Sequence, residues 1–335
     1  MKAYEIHAKE GLGALVQVER NEEPLGPTDV RVSVRATSLN HRDLHVLRGA
    51  AQRSAPIVPL SDGAGEVIAI GTAVTRIKVG DRVAASFFPT WREGFLSDAH
   101  HAQALGGGHD GMLREEVVLD ERAWVKLPAY LSFEQAATLP CAGLTAYHAL
   151  FEAAHVAPGD SVLVEGTGGV SLFALQLAKA AGARVILTSK SAEKRERALR
   201  FGADHVIDYQ ADAKWGESAR AWTGGRGVDV AVEVGGQKTF DQATASLRYG
   251  GTLSVVGGLT GFQAPVSLGA LLQKTLHVRG IYVGSIELFE RFARALDATK
   301  IAPVIDQTYS FADAAKAYAR IASGDHFGKI VIQVG

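Results

Sequence analysis

The chain has 335 residues, more than one hydrophobic core usually serves, so two domains are expected. Hydrophobic residues make up 47% and charged residues 21%, as in ordinary globular proteins, and a formal net charge of −1 supplies no electrostatic reason for a nucleic acid or an anionic membrane as partner. One cysteine, Cys141, excludes an internal disulfide and a cysteine-rich zinc lobe; the charged start Met1–Glu10 lacks the apolar core of a signal peptide, and no apolar run approaches the ~20 residues of a membrane helix, so a soluble, unprocessed, cytoplasmic protein is expected.

From Met1 to about Lys126 the pattern is short and alternating. Val30–Arg35, Gly65–Ile70 and Asp81–Ala85, each bounded by Gly, Pro or Asp, predict a β-rich, barrel-like domain. A helix is predicted over 42–48. The segment from Phe87 to Met112 carries Trp91, Phe95, the pair His100-His101, Gly106–Gly108 and His109; connections this long tend to be functional, and it is expected to form a pocket wall or lid, or a subunit contact. The histidine spacing fits no metal-ligand motif. Leu127-Pro128 then leads to Ser132 and Gln135, a capping-box pair that opens helices through Phe151.

Val162–Ser171 holds the most specific local signal. An apolar run breaks into Gly166-Thr167-Gly168-Gly169-Val170 and reopens as a helical pattern through Leu172, Phe173, Leu175 and Leu177. Strand, tight turn and helix together make the geometry that cradles a dinucleotide pyrophosphate. Gly166 permits the turn, Gly168 leaves no side chain between backbone and phosphate, and the first free N–H groups of the helix point at the anion. Ser171 stands where the third glycine of G-x-G-x-x-G is expected, and a purely structural turn is the alternative. Strands at 161–164, 184–188, 205–208, 228–234, 252–256 and 276–282 alternate with helical segments, which predicts a doubly wound parallel sheet. Beyond Glu287 come a helix, a short element at 303–306, a helix over 312–321 and a strand over 328–333 that rejoins the first domain. The expected division is 1–127 with 287–335 for one domain and 128–286 for the other.

After the second strand an NAD site commonly carries an acid that holds the ribose 2′-hydroxyl. Here Ser189, Lys190 and Ser191 are followed by Lys194 and Arg195. A 2′-phosphate would meet a hydroxyl and cations instead of a repelling carboxylate, which points to NADPH (the NADP couple) over NADH; the alternative is that the cations only solvate the helix over 191–201.

Ala36–His45, Pro59–Gly65, Lys78–Val83, Leu139–Thr145, the glycine turn and His326–Ile330 run nearly end to end. Through these motifs the chain resembles the medium-chain dehydrogenase/reductase superfamily, close to its zinc-independent, quinone-oxidoreductase-like and zinc-free alcohol-dehydrogenase-like branch. The resemblance implies an α/β protein with a β-rich GroES-like catalytic domain and a Rossmann nucleotide-binding domain. Zinc-dependent relatives carry a catalytic Cys where this chain has Asn40, and Gly-His-Glu where it has Leu60-Ser61-Asp62. Of their usual ligands only Cys141 remains in register, and one thiolate cannot hold a site that needs three protein ligands. No metal is therefore expected, and Cys141 reads as a small buried apolar residue.

Without a Lewis acid an alkoxide is hard to stabilise, so conjugate reduction is the expected reaction. Hydride passes to the activated C=C of an enone, enal or quinone, a small apolar carbonyl substrate, and charge collects on the carbonyl oxygen, where oriented hydrogen-bond donors suffice. Asn40 is the first candidate donor and Asp43 is grouped with it as the side chain that orients Asn40 or Arg42. His45 is the candidate proton donor, or else a surface residue of its helix; it matches a relay histidine of the zinc-dependent relatives, although Arg42 replaces the hydroxyl residue that completes that relay. The resemblance further implies that His41 approaches the pyrophosphate, Thr145 packs against the nicotinamide, Tyr209 lies near the 2′-phosphorylated adenosine, backbone around Gly257 and Tyr282 holds the carboxamide, and Lys329 contacts phosphate. It also implies a homodimer, which the apolar run Thr275–Val283 supports as a sheet edge in need of cover. Metal-free alcohol oxidation and a non-catalytic NADPH-binding role stay open as alternatives.

Overall fold

The computed structural model describes residues 1–335, which divide into two compact units, Met1–Leu144 with Val283–Gly335, and Thr145–Tyr282. No helix is long and apolar enough to cross a membrane.

The first unit is built on the strand Asp29–Leu39, whose odd–even pattern buries Val30, Val32 and Val34 before the strand passes wholly into the interior at Ala36 and beyond. It pairs antiparallel with Asp62–Ile70 on one side and with Lys329–Gln333 on the other, in registers that set Ser38 opposite Asp62 and Ile330 opposite Leu39. Two residues separated by most of the chain, Asp62 and Lys329, are thereby delivered to the end of one strand. Gly65 is required there because a Cβ would collide with the Ser33 carbonyl oxygen across the ladder. The parallel strand Ile305–Tyr309 lies outside Lys329–Gln333. The predicted helix over 42–48 is His41–Arg48, with Leu44 and Leu47 turned into a core of Tyr4, Ile6, Leu60, Tyr318 and Ile330. Ser132 and Gln135 exchange the two bonds of a capping box, and the helices after them widen into looser turns at Leu139–Gly143 and His148–Glu152. Pro140, which lacks an N–H for the regular ladder, lies within the first of these. This helical stretch up to Leu144 belongs to the first unit, where the Ser38 hydroxyl donates to Ala137 O.

The segment 87–112 is less irregular than its composition suggests. Ser97 caps a short helix, Asp98–Ala102, and Phe87, Phe88 and Trp91 are buried, while Phe95 alone stands 98% exposed. Arg42 anchors the segment, with one guanidinium N–H on Leu105 O at 2.9 Å and its plane 4.6 Å from the Phe87 ring centre.

In the second unit six parallel strands lie in the order His205–Ile207, Arg184–Thr188, Ser161–Glu165, Val228–Glu233, Leu247–Val255, His277–Gly280. Ser161–Glu165 and Val228–Glu233 sit at the centre, buried throughout, which is why valine, leucine and alanine dominate them without a polar–apolar alternation, the polar side chains Ser161, Asp229, Glu165 and Glu233 being buried with them. Strand order reverses between these two, the switch point at which open α/β sheets bind ligands beyond the carboxyl ends of the strands. At one margin His277–Gly280 is exposed along its whole length.

Candidate active site

The glycine turn closes the central strand Ser161–Glu165. Gly166 has φ +71°, a left-handed conformation that only glycine adopts freely. Gly168 is the N-cap of the 12-residue helix Gly169–Ala180; no side chain caps this helix and no acid stands in its first turn. Its leading amides and the positive end of its dipole are thus left for an anion, and a pyrophosphate fits them. Thr167 is buried, whereas Gly168, Gly169 and Val170 keep some surface. Ser171 replaces the third glycine at no loss of packing, because its buried hydroxyl donates to Glu165 O at 2.6 Å and ties the helix to the strand it follows.

Beyond the second strand Ser189 is buried, with its Oγ accepting from the Ser191 N–H at 3.3 Å; Lys190 is exposed and Lys194 half-buried on the helix Ala192–Arg200, which Ser191 caps. Arg195 is committed elsewhere. It donates to Ser189 O at 2.8 Å and pairs at 2.8 Å with Asp208, an acid at the next strand end that sequence reasoning overlooked. Tyr209, exposed, follows it. Thr145 is buried, Gly257 rests against Val234 with its N–H on Glu233 O at 3.3 Å, and Tyr282 is exposed.

A second overlooked pair lies at the switch point. Glu165 and Glu233 end the two central strands, almost fully buried. Glu165 Oε2 accepts from the amides of Val234 and Gly235 at 3.2 Å each, while Glu233 Oε1 accepts from the Gly236 amide at 2.6 Å and the Thr239 hydroxyl at 2.8 Å. Their other oxygens are supplied by no other donor, which leaves the Glu165 and Glu233 carboxyls to each other. Burial, and next the Glu233 charge, push the Glu165 carboxyl well above the usual carboxylate range. The signal available in the sequence was an acid at the carboxyl end of each of two strands rich in valine, Ser161–Glu165 and Val228–Glu233.

In the first unit Asn40 is the N-cap of His41–Arg48. Its backbone N–H donates to Asp43 Oδ2 at 2.7 Å, so Asp43 orients Asn40, while Arg42 stays 3.9 Å from the same carboxylate. Burial raises the Asp43 carboxyl to about 6, against the lowering effects of Arg42 and the Asn40 amide. The Asn40 side-chain oxygen accepts from Lys329 Nζ at 2.6 Å; the same ammonium donates to Leu39 O at 2.6 Å and lies 3.4 Å from Asp62 Oδ2. Its three protons have three protein acceptors, and a phosphate contact of the kind the resemblance implies would require one to be given up. Asp62 Oδ1 accepts further from the Ser61 hydroxyl at 2.8 Å, and Ser38 Oγ, whose proton goes to Ala137 O, lies 3.2 Å from Asp62 Oδ2. Asn40 Nδ2 has no partner in the protein.

The structure therefore brings together Asn40, Asp43 and Lys329. It sets His41 and His45 on the exposed face of the same helix, ring to ring at 5.2 Å, with the His41 imidazole shifted down by partial burial and then by the charges of His45 and Arg48. The zinc sites of related enzymes find no counterpart in the donor set: no three His, Cys, Asp or Glu side chains converge, and a lysine ammonium is already held between Asn40 and Asp62. Desolvation around the sulfur, then the Asp62 charge, push the half-buried Cys141 thiol up, away from the thiolate a metal would need.

Residues 26–129 match the alcohol dehydrogenase GroES-like domain and residues 169–300 the zinc-binding dehydrogenase family. A zinc-type alcohol dehydrogenase-like protein of Schizosaccharomyces pombe is 40% identical over 93% of this chain and 92% of its own. The chain belongs to the medium-chain dehydrogenase/reductase superfamily. Within that superfamily it is also similar to a quinone oxidoreductase of Pseudomonas aeruginosa, 33% identical over 92% of this chain and 91% of the relative, and to the solved structure of an NAD-dependent alcohol dehydrogenase, 32% identical with a TM-score of 0.91 over 100% of both chains. This medium-chain dehydrogenase/reductase is an NAD(P)-dependent oxidoreductase with a GroES-like unit and a parallel-sheet nucleotide unit.

Proposed function

We propose that this medium-chain dehydrogenase/reductase reduces the activated C=C of a small apolar enone, enal or quinone with NADPH, without a metal ion. The observation that carries the reading is the Asn40 amide: its oxygen is engaged by Lys329, and its N–H2 is a nearly buried donor without a protein partner. An unmade hydrogen bond in such a place costs about 1–3 kcal/mol, a cost recovered when an acceptor arrives.

NADPH, when bound, supplies the hydride. The turn Gly166–Val170 and the uncapped helix behind it hold the pyrophosphate. Ser189, Lys190 and Lys194 receive the 2′-phosphate; Arg195, neutralised by Asp208, is not counted among its cations. As the β-carbon gains the hydride, the π electrons move to the carbonyl oxygen, and Asn40 Nδ2 donates to that growing negative charge while its own backbone is pinned by Asp43. The proton that completes the reduction comes from solvent, with exposed His45 as its carrier. The edge strand His277–Gly280, with Val278 and Tyr282 partly exposed, pairs two copies into a homodimer.

Alcohol oxidation is a second reading, favoured by the alcohol dehydrogenase likeness above. A panel of enones, enals and quinones with NADPH, run beside primary and secondary alcohols with NAD and NADP, separates the two. In the same assay Asn40→Ala is expected to lower kcat by roughly 10²-fold, as deletion of an oxyanion donor does, with the NADPH dissociation constant unchanged. Alcohol turnover without enone reduction, or an Asn40→Ala enzyme with intact kcat, overturns the reading.

A further inference from the structure

We propose that Lys329 is a positioning residue which, through Asn40 Oδ1, decides which end of the Asn40 amide meets the substrate oxygen. The inference rests on the oxyanion role given to Asn40 above and assigns the device that makes that role possible.

A carboxamide is nearly symmetric in shape but opposite in function at its two ends, one an acceptor and the other a double donor. Left to itself in a reduction site, Asn40 could present either, and only the –NH2 end stabilises negative charge. Its neighbour removes the choice. An ammonium has three donors and no acceptor, so at 2.6 Å from Lys329 Nζ only the amide oxygen can face it, and the –NH2 group is turned the other way.

Lys329 is itself held. Its side chain is 3% exposed, Leu39 O accepts a second proton at 2.6 Å, and Asp62 Oδ2, on a buried carboxylate whose Oδ1 accepts from the Ser61 hydroxyl, stands at 3.4 Å. These acceptors arrive through the strand registers, Ile330 against Leu39 and Ser38 against Asp62, so the ammonium is set by the sheet and not by a flexible loop. The positive charge has a second effect. Drawing electron density toward Oδ1 polarises the amide and makes its N–H bonds stronger donors. Asp43 fixes the backbone end of the same residue at 2.7 Å, so Asn40 is constrained at both ends while Nδ2 is kept without a protein partner.

The test is a double-mutant cycle on the full-length, NADPH-loaded enzyme with an enone, comparing Asn40→Ala, Lys329→Met and the double variant. Lys329→Met is expected to lower kcat about 10-fold, less than outright loss of the donor, with KM and the NADPH dissociation constant within about twofold. In the Asn40→Ala background the same change is expected to cost less than about twofold, since an orienting group has nothing left to orient. If removal of the ammonium unfolds the protein by stranding Asp62, Lys329→Met is made together with Asp62→Asn, which keeps the buried pair neutral. Losses that multiply in the double variant overturn the proposal and leave the role of Asn40 intact. A weakened NADPH affinity with unchanged kcat also overturns it, by returning Lys329 to a phosphate contact. Normal kcat in Asn40→Ala alone would instead defeat the reading on which the proposal stands.

Discussion

The substitution Glu165→Gln is expected to change how stability depends on pH, and by an amount the geometry sets. Glu165 and Glu233 face each other at the ends of the two central strands, and one proton is needed between them because every other donor within reach is already spent on their far oxygens. The Glu165 carboxyl is therefore raised in the fold above its ordinary 4.5, by burial first and the Glu233 charge second. A group raised on folding contributes most to stability below its unfolded pKa, and that contribution is lost as pH climbs toward the folded value. Above 4.5 the unfolded chain has released the proton while the native protein keeps it, so stability falls by up to about 1.4 kcal/mol per pH unit, a loss to be followed between two pH values such as roughly 5.5 and 7. Glu165→Gln preserves the shape of the side chain. The amide oxygen still accepts from Val234 and Gly235, and the –NH2 group donates permanently to Glu233, so the slope from this pair vanishes. Urea unfolding of both proteins at equal concentration at the two pH values isolates the effect, since all other titrations cancel in the difference. The variant is expected to gain on the parent by up to about 1.4 kcal/mol per pH unit across this range; a gap constant to within about 0.5 kcal/mol would refute the shared proton.

Cofactor preference and assembly are tested in the same spirit. Ser189→Asp with Lys194→Ala places a carboxylate where a 2′-phosphate would lie and removes a cation, and the ratio of kcat/KM for NADPH over NADH is expected to fall by at least about 10-fold; an unchanged ratio means that these residues only solvate their helix. Along the parallel edge the Ile281 amide points inward to Val255 O, which turns the Val278 amide outward, so Val278→Pro removes an edge donor without breaking the internal ladder. Two-fold symmetry loses two such bonds per dimer, about 1 kcal/mol each, and sedimentation is expected to show dimer affinity weakened by 10-fold or more, whereas an unaltered affinity would place the interface elsewhere.

Much of this molecule was decided within a few residues of each motif. The glycine turn is legible because positive φ at Gly166 and bare backbone at Gly168 are properties of the residues themselves, and the sheet is legible because central parallel strands must be apolar on both faces. The Asn40–Asp43 contact is equally local, since a helix start brings its cap and third residue together. What the chain could not disclose by itself is where its charges end up. Lys329 meets Asn40 across 289 residues, and Glu165 meets the loop after Glu233 across 69, because strand registers place them there. Arg195, a candidate cation by composition, is cancelled by Asp208. His45 shares a helix with Asp43 yet lies on its exposed face. Local conformation follows from covalent geometry and hydrophobic period, which neighbours in sequence suffice to set. Charge partnership depends on desolvation and on distances of a few ångströms, and those exist only after remote strands have paired.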